Sequence, residues 1–578
     1  MHMKDEYLNF MLGRYSDALE RGLEAIQEQD ILKRLWKHDH TVWKTEPDEI
    51  TNRLGWLRLP AEMKEVVPEL TRFTDDIRDG GFQYVVLLGM GGSSLAPEVF
   101  QKTFGIADRY PDFFVLDSTD PGAILNLLEK IDITKTIFIV STKSGSTVET
   151  LSLFKFMYTK IANALGVDQA GMHFAAITDP GSDLEKIAKK VRFRRIFLNN
   201  PDIGGRYSAL SYFGLVPAAL IGIDIDALLD RALSVARASS EEAKLDENPA
   251  AKLGVALGEL AKTGRDKLTF IISPEVESFG DWVEQLLAES TGKEGKGILP
   301  VVREKLAASQ IYRDDRVFVW LHMKKDASLA ASFESLIEAG HPVIEIVLDD
   351  AYDIGGQFYL WEMATAVAGQ RLGINPFDQP NVELAKVKAR EMMAAYQEQG
   401  QLPAEAPLFE VDGIKVYATA SGISFPSYEE DKPSLKEIIN GFLGGTDPGA
   451  YFTLQAYLPH IDETYQALSV LRHRLRDRTG FATTLGFGPR FLHSTGQMHK
   501  GDGGNGLFIQ ITSDKPEDLV IPEEAGEDGS SISFGVLIQT QALGDRKALH
   551  EEGRKVIRFH LDGDIQGGIQ KLTDALDE

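Results

Sequence analysis

Short apolar runs that alternate with helical stretches are the feature of this 578-residue sequence that most constrains its fold. The first five runs span residues 84–88, 113–116, 136–140, 173–177 and 195–198. Runs that are apolar along most of their length are typical of parallel strands buried on both faces by helices. Their alternation with helices therefore predicts a doubly wound parallel sheet over residues 81–245.

Two more α/β units follow the same pattern. The candidate strands of the second unit are residues 268–272, 317–321 and 343–348. They predict a second doubly wound parallel sheet over residues 246–400, and a third α/β lobe follows over residues 401–578. The polar stretch 398–408, which contains Gly and Pro, is typical of a boundary between them. Residues 1–80 carry apolar residues at helical spacing, which predicts a mainly helical N-terminal segment.

The third lobe resembles the second in sequence, which is typical of a partial repeat. Two pairs of segments match in the same order: residues 288–293 with 492–497, and residues 340–350 with 553–563. In the first pair, His493 takes the place of Glu289. Chance similarity between α/β segments is the alternative explanation.

The composition of the chain limits the classes of function that it can have. The chain carries 61 Lys and Arg against 87 Asp and Glu, a formal net charge of −26, with no segregated basic patch for nucleic acid. It has no Cys, which excludes disulfides and thiolate nucleophiles. No apolar run reaches the roughly 18 residues of a membrane span, and the first residues lack the apolar core of a signal peptide. We therefore expect a cytoplasmic enzyme that acts on small molecules, with no nucleic-acid or membrane partner.

An acidic protein that binds an anion must do so through backbone N–H groups, hydroxyls and a few placed cations. The first candidate is the loop 89–94 (Gly-Met-Gly-Gly-Ser-Ser), in which Gly92 and Ser93 would contact the anion. A dinucleotide-binding turn with Asp117 on the ribose is an alternative, but Ser94 stands where that fingerprint has its last Gly. A purely structural turn is another alternative.

The second candidate is the segment 141–150 (Ser-Thr-Lys-Ser-Gly-Ser-Thr-Val-Glu-Thr), which follows a predicted strand and opens a helix. Six of its ten residues carry hydroxyls, more than one helix cap requires. We expect phosphate oxygens to bind here. The expected ligands are Thr142, Lys143, Ser144, Ser146 and Thr147.

Five motifs in order resemble the glucose-6-phosphate isomerase family, whose domains are of the sugar-isomerase (SIS) type. They are the two loops above and residues 199–208 (NNPDIGGRYS), 285–293 (QLLAESTGK) and 375–386 (NPFDQPNVELAK). The resemblance covers roughly residues 50–400 and leaves the third lobe outside. The residues of these motifs are similar to those in the isomerase half of bacterial transaldolase/glucose-6-phosphate isomerase fusions, here without a transaldolase half.

The resemblance implies interconversion of glucose 6-phosphate and fructose 6-phosphate through a cis-enediol(ate) intermediate. We expect no metal, because the sequence has no His-Glu-x-x-His cluster and proton transfer through an enediol works without one, and we expect no cofactor. It makes Glu289 the base, Arg206 the stabiliser of the enediolate and Lys386 a ring-opening residue. Gln285 and Gln379 resemble substrate-contacting amides. Without the resemblance, Glu289 and Lys386 would each read as ordinary surface charges.

Alternative functions stay open at this point. A related isomerase could act on mannose 6-phosphate or a 6-sulfonated hexose, because a hydroxyl loop accepts any tetrahedral anion. A non-catalytic sugar-phosphate sensor on the same fold is a further alternative, although a sensor needs no base. A homodimer is also expected from the resemblance.

One departure concerns ring opening. The family carries a histidine about thirty residues beyond the base, and in the matching stretch 328–334 Ala331 takes its place. His341 begins a predicted strand, and we interpret it as structural. We expect His493 or His499 of the third lobe to supply the missing acid/base, in cis or across a dimer, because histidine titrates near neutrality.

Overall fold

The computed structural model describes residues 7–403, 405–418 and 433–577. The N-terminal segment contains β1 (Leu8–Met11), α1 (Ser16–Glu28), α2 (Ile31–Trp36), α3 (Leu59–Glu62) and α4 (Val67–Asp79). The helical pattern of this segment gave no sign of β1, which pairs antiparallel with the strand Val343–Leu348 and forms one edge of the second lobe's sheet. The segment therefore contributes one strand to the sheet of the second lobe.

The first lobe is a five-stranded parallel sheet covered by helices. Its strands are β2 (Tyr84–Gly89), β3 (Asp112–Leu116), β4 (Thr136–Ser141), β5 (Phe174–Thr178) and β6 (Arg195–Leu198). Its helices are α5 (Leu95–Phe104), α6 (Pro121–Lys130), α7 (Val148–Leu165), α8 (Val167–Ala170), α9 (Asp183–Lys190), α10 (Tyr212–Leu220) and α11 (Ile225–Ala238). The strand order is β3-β2-β4-β5-β6. The chain adds β3 on one side of β2 and the later strands on the other, so the switch point lies between β2 and β4. Ligands bind at such a switch point, beyond the carboxyl ends of the strands.

The second lobe repeats this arrangement with β1 on its edge. It contains α12 (Pro249–Lys262), β7 (Lys267–Ile272), α13 (Phe279–Thr291), β8 (Leu299–Val301), β9 (Arg316–Met323), α14 (Ala330–Glu338), β10 (Val343–Leu348), α15 (Ile354–Leu372) and α16 (Glu383–Gln399). The order is β1-β10-β9-β7-β8, and all strands but β1 are parallel. The prediction of two doubly wound sheets is confirmed.

The third lobe is a mixed six-stranded sheet with helices. It contains β11 (Phe409–Val411), β12 (Ile414–Ala418), α17 (Leu435–Leu443), β13 (Tyr451–Tyr457), α18 (Asp462–Thr479), β14 (Ala482–Phe487), α19 (Gly496–Gly501), β15 (Gly506–Ser513), β16 (Val520–Ile521), β17 (Ile532–Ser533), α20 (Phe534–Glu551), β18 (Lys555–Leu561) and α21 (Ile565–Asp577). The sheet order is β11-β12-β18-β15-β13-β14, in which β12 pairs antiparallel with both of its neighbours, β11 and β18. Strands β16 and β17 pair with each other outside this sheet.

The strand orders bear on the predicted repeat. The orders β3-β2-β4-β5, β8-β7-β9-β10 and β14-β13-β15-β18 are the same, so all three lobes share one parallel core. Segments 340–350 and 553–563 both lead into the fourth strand of that core. Residues 288–293, by contrast, end α13 before the second strand, whereas 492–497 precede the third. The prediction that His493 occupies the place of Glu289 is therefore wrong, because the shared Ser-Thr-Gly letters end one helix and begin another.

Packing joins the lobes closely. One apolar core runs through the N-terminal segment and the first two lobes, with Trp56, Trp282 and Trp361 fully buried. Phe534 and Leu537 of α20 complete the core on the other face of the first sheet, so the third lobe packs directly onto the first. Within the described ranges, no helix is both long and apolar enough to cross a membrane.

Candidate functional site

The glycine loop after β2 lies against a loop of the same lobe. A Cβ at Gly92 would come within 2.0 Å of the carbonyl oxygen of Gly205, so only glycine fits there. Gly91 has φ +55°, which also favours glycine. Ser93, which follows, is buried. The loop thus brings the start of α5 next to Arg206.

The hydroxyl loop after β4 is the second element at this switch point. The hydroxyls of Thr142 and Thr147 lie 2.9 Å apart, and those of Ser144 and Ser146 lie 3.0 Å apart. Lys143 forms an ion pair with Asp179 and donates to a backbone carbonyl, so it is held in place. The loop opens α7, whose N-terminal N–H groups favour an anion.

Arg206 is a buried cation with fixed direction. Its guanidinium donates over 2.7–3.0 Å to Ser290 Oγ, to Gln379 Oε1 and to the carbonyl oxygens of Pro376 and Asp378. Its Nη1 lies 3.5 Å from Oε1 of Glu289, and its side chain is 3% exposed. The structure thereby brings three predicted site residues together: Arg206, Glu289 and Gln379.

Glu289 lies in the last turn of α13, and Gln285 lies one turn before it. Nε2 of Gln285 donates to Oε2 of Glu289 over 3.1 Å and to the carbonyl oxygen of His493 over 2.7 Å. One amide therefore links the second lobe's carboxylate to the third lobe. The Glu289 side chain is 14% exposed, which leaves it access to a ligand.

His493 reaches this site on a 3₁₀ helix, Arg490–His493, that follows β14. Its Nε2 donates over 2.9 Å to Oε1 of Glu149, in the first turn of α7. Burial lowers the pKa of His493, but the charge and hydrogen bond of Glu149 outweigh it, so the pKa lies above its ordinary value. Burial would raise the pKa of Glu149, yet His493 holds it below its usual range.

Glu149 is a site residue that sequence reasoning missed. It is buried, and it also accepts from Nε2 of Gln541 on α20 over 2.7 Å. Its signal in the sequence is a carboxylate in the first turn of the helix that follows the hydroxyl loop. A carboxylate beside an imidazole orients the ring and stabilises its charged form.

Lys386 lies in the first turn of α16, half-exposed, with its Nζ 3.6 Å from Glu383. Its charge acts on both Glu149 and His493 and lowers the pKa of each, so Lys386 lies close to that pair. The structure thus places it near the site without fixing its ammonium to a single partner there.

The other positions considered for the ring-opening histidine lie away from the site. His499 is buried in α19 against Phe508, with Nδ1 3.4 Å from Nε2 of Gln455. Burial holds the pKa of His499 well below its usual value, so the structure does not bring it to the pocket as an acid/base. Ala331 is exposed on α14, and His341 is buried beside Arg265, which agrees with a structural role.

Metal ligands are absent from the described part of the chain. No group of three or more His, Cys, Asp or Glu residues there could hold a metal ion. The pair His38 and His40, the His-x-His spacing present in the sequence, belongs to no such group. The site offers instead an anion loop, a buried guanidinium, a carboxylate and a histidine, which together suit proton transfer on an anionic substrate.

Comparisons with known proteins match this chain to phosphoglucose isomerases. A family model described as phosphoglucose isomerase matches residues 58–298. A probable glucose-6-phosphate isomerase of Methanococcus maripaludis is 30% identical over 386 residues, 60% of this chain and 85% of the relative. The glucose-6-phosphate isomerase of Rubrobacter xylanophilus is 29% identical over 417 residues, 64% of this chain and 94% of the relative.

Solved structures agree on the fold. A hypothetical protein from Thermus thermophilus superposes with a TM-score of 0.57 at 28% identity, covering 67% of this chain and all of that one. A glucose-6-phosphate isomerase from Chlamydia trachomatis gives a TM-score of 0.56 at 20% identity, covering 68% of this chain and 89% of that one.

Proposed function

This chain belongs to the phosphoglucose isomerase family and is an aldose–ketose isomerase that interconverts glucose 6-phosphate and fructose 6-phosphate, and we propose that Glu289, Arg206 and His493 perform the reaction. The observation that carries this proposal is the placement of Glu289. It lies 3.5 Å from Nη1 of Arg206 and shares the amide of Gln285 with the backbone of His493.

Substrate binding begins with the phosphate. The hydroxyls of Thr142, Ser144, Ser146 and Thr147, with the first N–H groups of α7, take its oxygens. Gly92 lets the neighbouring loop approach without a side chain in the way. Because Lys143 is already paired with Asp179, most of the recognition is by hydrogen bonds, which suits an anion site in a chain of charge −26.

Ring opening is the task of His493. As an imidazolium, whose pKa is raised by Glu149, it donates a proton to the ring oxygen while the anomeric hydroxyl passes its own proton to solvent water, and the carbonyl forms. Glu149 stabilises the charged ring before the transfer. Lys386 adds a positive charge near the departing oxygen.

Isomerisation follows on the open chain. The carboxylate of Glu289 removes the proton from C2 of glucose 6-phosphate, and the electron pair moves through C1 onto the carbonyl oxygen to form the enediolate. A hydroxyl proton then moves from O2 to O1, and Glu289 returns its proton to C1, giving fructose 6-phosphate. Arg206 stabilises the enediolate oxygens by charge and hydrogen bonds that are strongest in the transition state.

A coupled assay with fructose 6-phosphate tests this assignment. Glu289→Gln keeps the shape and removes the base, so we expect kcat to fall by about 10²- to 10⁴-fold with KM little changed. Glu294→Gln is the matched control, since Glu294 lies five residues away in a surface ion pair with Lys44. Turnover by Glu289→Gln near the wild-type rate would remove Glu289 from the mechanism.

The oligomeric state and the cellular location are part of the same proposal. His493 reaches Glu149 within one chain, which favours a pocket completed in cis. We propose a homodimer from the resemblance and a cytoplasmic location from the composition, and a site completed within one chain requires neither.

A further inference from the structure

We propose that Arg490 is a positioning residue that holds His493 over the pocket by tying its short helix to Glu98 and Asp117 of the first lobe. The inference rests on the proposed role of His493 in ring opening. Arg490 opens the 3₁₀ helix that ends at His493, three residues later. Whatever fixes Arg490 therefore fixes the backbone that presents the imidazole.

The contacts of Arg490 cross from the third lobe to the first. One guanidinium nitrogen donates to Oε2 of Glu98 on α5, and Nη1 lies 3.1 Å from Oδ2 of Asp117, just beyond the carboxyl end of β3. The side chains of Arg490, Glu98 and Asp117 are 13%, 10% and 7% exposed, so water screens these pairs poorly. A planar guanidinium between two carboxylates has a fixed orientation.

One of these carboxylates, that of Asp117, also holds the glycine loop. Oδ2 of Asp117 accepts from Oγ of Ser94, over 3.0 Å, at the end of that loop. Glu98 lies one turn into α5, where Lys102 pairs with it at 2.5 Å. Asp117 thus couples the loop that receives the substrate to the arginine that places the histidine.

Charge keeps this cluster intact at neutral pH. Burial would raise the pKa of Glu98, but Arg490 and Lys102 lower it well below its usual range, so Glu98 stays ionised. Burial would lower the pKa of Arg490, but Asp117 and Glu98 raise it above its ordinary value. The pair of Glu98 with Arg490 therefore persists over the pH range in which His493 titrates.

His493 is held from the other side by its own contacts. Its carbonyl oxygen accepts from Gln285, and its ring donates to Glu149. Those bonds act at the end of the helix, whereas the ion pairs of Arg490 act at its start. With Arg490 released, the start of the helix loses both pairs, and a small shift there displaces the imidazole from the ring oxygen of the substrate.

The test compares a substrate that must be opened with one that is always open. Fructose 6-phosphate requires ring opening, whereas 5-deoxyfructose 6-phosphate keeps the chain length and has no hydroxyl to close the furanose ring. For Arg490→Met, we expect kcat on fructose 6-phosphate to fall at least about tenfold, since small displacements of a catalytic group are costly. We expect kcat on the open-chain compound and KM for both to stay within about threefold of the wild-type values.

Two further variants guard against loss of the fold. Asp117→Asn keeps the shape and the bond from Ser94 but weakens the hold on Arg490, and a smaller loss of the same kind is expected. Arg490→Lys keeps the charge and should recover part of the rate. Arg478→Met is the matched control, because the partners of Arg478, Leu576 and Asn440, both lie in the third lobe.

Outcomes separate this inference from the function on which it depends. His493→Ala should show the same selective loss, and adding Arg490→Met to it should cost nothing further. If His493→Ala loses activity selectively but Arg490→Met does not, positioning by Arg490 is wrong while the role of His493 stands. If His493→Ala has no selective effect, both proposals are overturned. Equal losses on both substrates for Arg490→Met would also contradict positioning.

Discussion

Nε2 of His493 donates to Oε1 of Glu149 over 2.9 Å, although 344 residues separate the two in the chain. One belongs to the third lobe and the other to the first turn of α7, beside the hydroxyl loop. The contact turns an appended lobe into part of the pocket. Its chemical consequence is a histidine that keeps its proton to a higher pH than an isolated imidazole.

Glu149→Gln is expected to shift the pH dependence of activity. The charge of Glu149 and its hydrogen bond raise the pKa of His493, and the amide removes that charge. Because His493 must be protonated to open the ring, the alkaline limb of kcat/KM should move to lower pH. The profile is measured with fructose 6-phosphate from pH 5.5 to 9. An alkaline limb that stays in place would show that His493 is not its source.

Completion of the pocket in cis makes a prediction about mixtures. If each chain uses its own His493, mixing Glu289→Gln with His493→Ala should restore no activity at any ratio. If the histidine instead crossed to a second subunit, mixed dimers would contain one intact site and activity would return. Refolding the two variants together and assaying the mixture distinguishes these outcomes.

Thr147→Val should weaken binding of the phosphate group. A hydrogen bond to a charged group is worth about 1.5–3 kcal/mol, so KM for fructose 6-phosphate should rise about tenfold or more with a smaller effect on kcat. The inhibition constant of inorganic phosphate should rise in parallel. Thr159→Val on the same helix is the control, since Thr159 donates to the carbonyl of Lys155. Equal effects of both substitutions would place the anion elsewhere.

Glu284 makes stability depend on pH. Burial, followed by the charge of Asp281, raises its pKa to about 8, although three arginines nearby act in the opposite sense. Between its unfolded pKa near 4.5 and about 8, the folded state holds a proton that the unfolded state releases, so stability falls as pH rises. Glu284→Gln should flatten this part of the profile and be the more stable form at pH 8. Denaturant unfolding at pH 5 and 8 measures the free energy of unfolding of both proteins. If its change between the two pH values is the same in Glu284→Gln as in the wild type, the raised pKa is contradicted.

The first lobe was predictable because parallel strands buried on both faces appear as continuous apolar runs. All five runs of that lobe became strands β2 to β6. Two strands of the second sheet left no such mark. β8 has only three residues, one of them Pro300, and β1 lies within a segment whose periodicity is helical.

The site was predictable where motifs are local and not where contacts are long-range. The hydroxyl loop and the 285–293 segment could be found from their own residues and the family resemblance. The meeting of Glu149 with His493 depends on how the third lobe packs, which no local pattern encodes. His499 shows the reverse error, since a histidine in a Gly-rich segment turned out to be a buried residue of its own lobe.

In the proposed mechanism the anion loop, Glu289 and His493 act on one sugar phosphate. The decisive experiment is a crystal structure with bound 5-phosphoarabinonate, whose carboxylate resembles the enediolate. We expect the phosphate on the Thr142–Thr147 hydroxyls and the Glu289 carboxylate about 3–3.5 Å from the enediolate-like carbon. A bound analogue with Glu289 turned away into solvent, or with its phosphate outside that loop, would contradict it.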